Sequence, residues 1–368
     1  MKVLFLTNIP SPYRVDFFNE LGKNFELTVL YERKQAKDRD EKWEADKPKN
    51  FREVFLKGIK VGNESGICFS VINFLKNKQY DQIIVGGYST PTGMLAIEYL
   101  HLNRISFFLS SDGGIIKKDY CLKRLVKRHF ISKASAWLST GQKTTEYLCY
   151  YGADANRVYK YPFTSIKDRD ILKGVPSVSE KSKVRRRLGI KEKKVIISVG
   201  QFIYRKGYDV LLNSSRILEK DIGIYIIGGE PTEEYMKIKK EFDLTNVHFV
   251  GFKTKVELME YYKAADLFVL PTREDIWGLV INEAMANGLP IITTDNCIAG
   301  LELIEDYENG FIVPVNDHEK LANRIIDVLD NNELKYKMSE NNIKKIKNFT
   351  IENMAKSHLE VIDKHFSK

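Results

Sequence analysis

Cysteine is scarce in this chain. The four in 368 residues, Cys68, Cys121, Cys149 and Cys297, lie far apart and show no metal-ligand spacing. That pattern excludes a disulfide-stapled scaffold and a zinc ribbon, and reads as reduced thiols in a cytoplasmic protein. Long apolar runs are missing too: none approaches the roughly 20 residues of a membrane-spanning helix. The opening Met1–Leu6 is too short for the apolar region of a signal peptide and reads as a first strand ending at Thr7-Asn8. No Gly-x-Gly-x-x-Gly follows the first strand of either half, which argues against a nicotinamide-dependent dehydrogenase. No basic motif interleaved with aromatics occurs, so nucleic acid is not an expected partner. Repeats of short period are absent as well.

What is present fits a soluble globular protein of two ordinary domains, with 43% hydrophobic and 29% charged residues. Charge is distributed unevenly. Residues 1–165 carry 26 Lys and Arg against 17 Asp and Glu, whereas residues 166–368 carry 32 of each. The whole excess of +9 therefore belongs to the first part. Within it, Ile115 to Lys133 holds seven Lys or Arg and one Asp. Drawn as a helix, Leu122, Leu125, Val126 and Phe130 share one face and Lys123, Arg124, Lys127 and Arg128 the other. Two readings stand: a basic helix riding on an anionic membrane surface, or an ordinary surface helix with its apolar face in the core and its basic face in water.

Along the chain, strand-like and helix-like stretches alternate. Strands are expected at 2–7, 26–31, 82–86, 105–110 and 136–139, with helices at 13–22, 66–78 and 93–102. A second set of strands runs at 195–199, 223–228, 247–250, 266–270 and 290–294, with helices near 207–219, 231–241, 255–263 and 278–287. Alternation of this kind implies an α/β protein with parallel sheets and ligands at the carboxyl ends of the strands. Two such sets imply two Rossmann-like domains. The boundary is expected between Tyr161-Pro162 and the polar run Glu180–Arg187, giving domains of 1–165 and 166–349. The charged segment Lys34–Lys49 reads as a mobile loop.

The stretch Pro271–Pro290, PTREDIWGLVINEAMANGLP, carries the most chemistry. A buried apolar run ends at Pro271, a polar loop follows, and helical spacing starts at Gly278. The free amides of a helix starting at Gly278, Leu279 and Val280 suit a phosphate. Asp275, with Glu274 beside it, and Glu283 flank that anion site and can accept hydrogen bonds from sugar hydroxyls. A second turn, Gly200 to Asp209, follows the apolar strand Val195–Val199. Its adjacent cations Arg205 and Lys206 can neutralise a pyrophosphate, and Gly207 permits tight entry into a helix.

These two motifs resemble the signature of retaining GT-B glycosyltransferases of family 4: Glu-x7-Glu ahead of an E-A-M-A-x-G-x-P helix, and G-x-x-x-x-x-K-G-x-D upstream. The match to Glu283–Pro290 is specific. The position eight before Glu283 holds Asp275 where the family has Glu, and Trp277 replaces the usual Phe. Either Asp275 or Glu274 takes the first role. Two weaker matches accompany them, Gly228-Gly229 after the strand Ile224–Ile227 and Gly251-Phe252 after Val247–Val250. The resemblance covers essentially the whole chain and is strong from Val195 to Pro314.

The resemblance implies a GT-B fold, two Rossmann-like domains facing across a deep cleft, with a final helix, Ile351–Phe366, crossing back to the first. It implies transfer of a sugar from a nucleotide-diphosphate sugar, a UDP-sugar above all, to a glycan or lipid-linked acceptor, with retention and without a metal or other cofactor. In that scheme Arg205, Lys206 and the Gly278–Val280 amides stabilise the departing diphosphate. Glu283 accepts the ribose hydroxyls, backbone around Gly200, Gly228 and Phe252 holds the nucleotide, and Asp275 or Glu274 orients the sugar. Many family members carry a His after the fourth strand; here Ser110–Gly114 has none, leaving Asp112 as the candidate, or as a simple turn residue. Arg14 is read as an acceptor-phosphate ligand or a cap. The Asp-x-Asp strings Asp38–Asp40 and Asp168–Asp170 lie outside the signature and read as solvated charge. Family members with a basic first domain commonly build capsule or lipopolysaccharide at the cytoplasmic membrane face. The competing classes are a non-catalytic GT-B partner subunit and a sugar-nucleotide epimerase or phosphorylase.

Overall fold

A computed structural model describes residues 1–35, 47–76 and 79–366. The chain divides into two compact units, Met1–Ser165 with Phe349–Lys368, and Ile166–Asn348. The loop expected at 34–49 and the string Asp38–Asp40 fall largely outside the described residues.

The first unit runs β1 (Lys2–Thr7), α1 (Pro12–Leu21), β2 (Glu26–Tyr31), β3 (Arg52–Phe55), β4 (Ile59–Val61), β5 (Ser65–Ile67), α2 (Val71–Leu75), β6 (Gln82–Val85), α3 (Pro91–Leu102), β7 (Phe108–Ser111), α4 (Cys121–Ile131), β8 (Ala136–Ser139), α5 (Gln142–Tyr150) and β9 (Val158–Lys160). Seven strands form one parallel sheet in the order β3-β2-β1-β6-β7-β8-β9, and β4 and β5 make a separate antiparallel hairpin. Its central strands KVLFLT and QIIV are buried at every residue but Lys2, and their interiors are apolar, as befits strands of a parallel sheet. Leu4, Leu30, Val85, Leu109 and Trp137 centre its core.

The second unit runs α6 (Val178–Leu188), β10 (Lys194–Val199), α7 (Tyr208–Ser215), β11 (Ile222–Ile227), α8 (Glu233–Glu241), β12 (Val247–Val250), α9 (Lys255–Ala264), β13 (Leu267–Leu270), α10 (Leu279–Ala286), β14 (Ile291–Thr294), α11 (Ile298–Leu303), β15 (Gly310–Val313), α12 (His318–Asp330) and α13 (Asn332–Ile346). Its sheet is six parallel strands, β12-β11-β10-β13-β14-β15. Ile196, Ile224, Val269, Ile292 and Phe311 lie at the centre of its core. The last helix, α14 (Ile351–Phe366), belongs to the first unit and packs on α1, where His358 meets Phe17 at 4.7 Å and Tyr161 at 4.6 Å.

Several elements differ from the sequence-based expectation. Within the expected helix 66–78, the β4–β5 hairpin closes at Ile67, and of the described residues there only Val71–Leu75 are helical. Strands β3, β9 and β15 are short and were not expected. The polar run Glu180–Arg187, given as the far limit of the boundary region, lies within helix α6. A capping box between Ser177 and Glu180 starts it, and Gly189 in the left-handed region stops it. Among the described residues no helix is long and apolar enough to cross a membrane.

Candidate functional site

In the second unit the strand order reverses between β10 and β13, since β10 connects outward to β11 and β13 to β14. Ligands of open α/β sheets bind at such a point, beyond the carboxyl ends of the strands. The loops leaving β10 and β13 are the two that carry the sequence motifs. After Gly200 the chain makes a short 3-10 turn, Tyr204–Lys206, and enters α7 at Gly207. Gly207 has φ +68°, and a Cβ there would lie 2.1 Å from the Pro271 carbonyl oxygen. The two loops thus touch at a residue with no side chain. At Gly228 a Cβ would lie 2.0 Å from the Gly200 oxygen, so the turn after β11 presses equally close.

Side chains lock the two loops together. Lys206 Nζ donates to Asp275 Oδ2 at 2.6 Å, and both residues are buried. Arg205, half exposed, donates to the Glu274 carbonyl at 2.8 Å and lies 3.5 Å from Asp275 Oδ1. Thr272 Oγ1 donates to the Arg205 carbonyl at 2.9 Å, and the Arg273 amide to the same oxygen at 2.8 Å. The Arg273 guanidinium forks onto Asp209 at 2.8 and 2.5 Å and stacks 4.0 Å from the Tyr204 ring centroid. Asp209 closes the Lys-Gly-x-Asp turn. Its partner is not legible in the sequence, because nothing there pairs it with Arg273.

Gly278 precedes α10, whose N-terminus no side chain caps. Leu279 and Val280 are partly exposed there, and Trp277 is buried with its indole nitrogen donating to Asn282 at 2.9 Å. Glu283 accepts from Tyr262 at 3.1 Å, and burial followed by that carboxylate pushes the Tyr262 hydroxyl well above its ordinary range. Phe252, just past β12, is partly exposed. Cys297 is buried against the loop, its thiol pushed up to about 12 by burial and then by Asp275. Of the expected residues, Arg205, Lys206, Glu274 and Asp275 form one cluster. Asp168–Asp170 lies apart from it, as a short turn whose Asp170 binds Lys255 at 2.7 Å.

Asp112 lies in the first unit, just past β7, and is not merely a turn residue. It accepts from Arg14 of α1 and sits 3.5 Å from the Tyr13 hydroxyl. Arg14 is buried and pairs with Asp112. Burial lowers the affinity of that guanidinium for its proton, but Asp112 and the nearby tyrosines outweigh it and the net shift is upward. The Tyr13 hydroxyl is raised to about 12 by burial and Asp112.

Helix α4 corrects the expected helix in two ways. Much of its apolar side is open, with Leu122 74% and Leu125 57% exposed and Val126 exposed beside them, while Phe130 packs on the core. Lys127 is turned inward, its side chain only 16% exposed, donating to Asp119 at 2.6 Å and to Tyr151 at 3.2 Å. Lys123, Arg124 and Arg128 remain exposed. The reason is the tyrosine-rich α5, whose Tyr147 and neighbouring Tyr151 receive Lys127 over their rings.

Solved structures of known proteins match the chain end to end. The Anabaena protein HepE in complex with UDP superposes with a TM-score of 0.78 at 17% identity, over 99% of this chain and 100% of that one. WaaG, a glycosyltransferase involved in lipopolysaccharide biosynthesis, gives 0.71 at 19% identity, over 98% and 99%. The fold is GT-B. Residues 180–345, which hold the Lys206–Asp275 cluster and α10, match the family described as glycosyl transferases group 1. An uncharacterized glycosyltransferase of Haemophilus influenzae is 35% identical over 155 residues, 40% of this chain. This GT-B chain spans 43% of that relative's length.

Proposed function

We propose that this protein is a retaining, metal-independent glycosyltransferase. It moves a hexosyl or N-acetylhexosaminyl group from a nucleotide-diphosphate sugar, a UDP-sugar foremost, to a glycan or lipid-linked acceptor of surface polysaccharide synthesis. The observation that carries the reading is the convergence of Lys206 and Arg205 on Asp275 four residues before the uncapped start of α10. As the anomeric bond breaks, negative charge grows on the diphosphate. Two fixed cations and a helix N-terminus stabilise that charge without reorganising. Asp275 holds Lys206 in place before donor arrives. With donor bound, its carboxylate, or that of Glu274, accepts hydroxyls of the transferred sugar, and Glu283 accepts those of the ribose. The UDP named in the HepE structure supports the donor class.

Peripheral attachment to an anionic membrane, on the cytoplasmic face, belongs to the same reading. What supports it is the exposed apolar side of α4 with Lys123, Arg124 and Arg128 around it. Lys127, expected among the membrane contacts, is occupied internally.

The test is a donor screen by thermal shift with nucleotide diphosphates and their sugars, followed by transfer assays with and without EDTA. Stabilisation by one nucleotide class, transfer that survives EDTA, and a product with the donor's anomeric configuration are expected. Nucleotide binding without transfer to any acceptor would favour a partner subunit instead. Loss of activity restored by Mg²⁺ or Mn²⁺ would end the metal-independent reading.

A further inference from the structure

A second concentration of charge lies at the other end of the second unit's sheet. Lys194 opens β10 and Asp266 precedes β13, so both stand at the amino ends of strands whose carboxyl ends carry the Lys206–Asp275 loops. Six residues of strand separate the two ends, roughly 20 Å. Here a cavity of ≈ 380 Å³ opens between α6, the start of β10 and the α12–α13 junction.

Its walls hold five cations, Lys181, Arg185, Lys193, Lys194 and Lys335, and two carboxylates, Asp266 and Asp330. Both carboxylates are already committed. Asp266 takes Arg185 at 2.7 Å, Lys181 at 3.2 Å and the Val195 amide at 2.9 Å. Asp330 takes Lys194 at 2.6 Å. Lys193 and Lys335 form no ion pair among the described residues. The excess is local, because residues 166–368 are balanced overall at 32 charges of each sign. Burial, and then the positive charges of Arg185 and Lys335, pull the Lys181 ammonium below its ordinary range despite Asp266 beside it.

Anchoring α6 to the sheet accounts for Lys181, Arg185 and Asp266. It does not call for two more lysines, Lys193 exposed and Lys335 partly buried, on the facing walls, where like charges repel one another.

We infer that this cavity binds a small polyphosphate anion, at a site separate from the loops after β10 and β13. Lys193 and Lys335 contact its phosphoryl oxygens, and Lys181 supplies charge from the cavity wall. The volume admits a pyrophosphate, and also the diphosphate of a nucleotide with its sugar outside. The chemistry shared by the two sources is the diphosphate.

Four forms of the full chain test this by calorimetric titration with inorganic pyrophosphate and, separately, with UDP: wild type, Lys193→Ala/Lys335→Ala, Arg205→Ala/Lys206→Ala, and all four substitutions together. The Arg205/Lys206 variant is expected to keep saturable pyrophosphate binding. Adding the two cavity substitutions weakens that binding roughly ten- to a hundredfold, as befits loss of charge-assisted contacts. If UDP binds the cavity no better than pyrophosphate, the ligand is the diphosphate alone; tighter UDP binding there identifies a nucleotide. No saturable binding in the Arg205/Lys206 variant at about 100-fold excess of pyrophosphate over protein would overturn the inference. So would equal affinity with and without Lys193 and Lys335. Thermal unfolding of each form, with Lys193→Gln/Lys335→Gln as a second cavity variant, shows that the variants fold. Failure of the transferase reading appears elsewhere, as unchanged UDP binding in the Arg205/Lys206 variant.

Discussion

Lys206 and Asp275 are 69 positions apart in the chain and 2.6 Å apart in the protein. A cation held this way is pre-positioned for a diphosphate, so its loss is felt most in the transition state. Lys206→Ala or Arg205→Ala is expected to slow transfer roughly 10²–10³-fold, as loss of one oxyanion donor does. Steady-state kinetics with the donor from the screen measure it, and full activity in the double variant would exclude the site. The carboxylates separate by a different readout. Glu274→Gln lowers kcat with nucleotide-diphosphate affinity near normal, Asp275→Asn lowers kcat and, by releasing Lys206, changes diphosphate affinity as well, and Glu283→Gln weakens the nucleotide itself. Unchanged transfer in both Asp275→Asn and Glu274→Gln would remove the first-carboxylate assignment. Residue types and local spacing exposed these candidates, because a turn motif is a property of neighbours in sequence. The partners stayed hidden. Nothing in the sequence ties Asp209 to Arg273, or Arg14 to Asp112, since those pairs arise only when segments distant in sequence fold together.

Elements were legible where both faces of a strand are covered, because β1, β2, β6, β8 and β10 then read as plain apolar runs. Edge strands such as β3, half exposed and four residues long, give no such run. The amphipathic character of α4 was equally legible, but which side faces the protein was not, because tyrosines on α5 draw Lys127 inward. The exposed leucines and basic residues together set the expectation for membrane binding. Each exposed Lys or Arg contributes about 1 kcal/mol near an anionic surface, screened by salt. The outward leucines add an apolar term that salt leaves in place. Co-sedimentation with anionic vesicles should fall on Leu122→Ser/Leu125→Ser as well as on Lys123→Gln/Arg124→Gln/Arg128→Gln, and only the basic contribution should fade at high salt. Equal recovery in the supernatant under all conditions would leave α4 without that role. Helix α14 carries a separate expectation. His358 is buried among Phe17, Tyr161 and the Arg14 side, and its pKa is lowered to about 4 by burial. The unfolded chain therefore binds a proton near pH 6.5 that the folded chain refuses until about pH 4. Stability falls as pH drops through that window, by about 3 kcal/mol for this group at the 1.36 kcal/mol per pKa unit of linkage. Denaturant melts of His358→Phe against wild type between pH 7 and 4 should show a shallower decline in the variant.

At the scale of the whole molecule, the second unit is one uninterrupted stretch, Ile166–Asn348, while the first is assembled from two pieces. Ending the chain after Asn348 removes α14 and uncovers Phe17 and Tyr161. Hydrogen exchange of that truncation should show lost protection across β1, α1 and their neighbours, with β10–β15 near wild type. Uniform loss in both units would contradict their independence. The same threading has a consequence for biosynthesis. When Ser165 leaves the ribosome, the first unit still lacks the helix that caps α1, and it must wait for the rest of the chain to be made. At about 5–20 residues per second the wait is on the order of 10–40 s. Throughout it, the aromatic seam of α1 is open to chaperones or to other nascent chains, while the later-emerging second unit has all its own segments at hand. The order of synthesis and the order of completion therefore run opposite to each other in this protein.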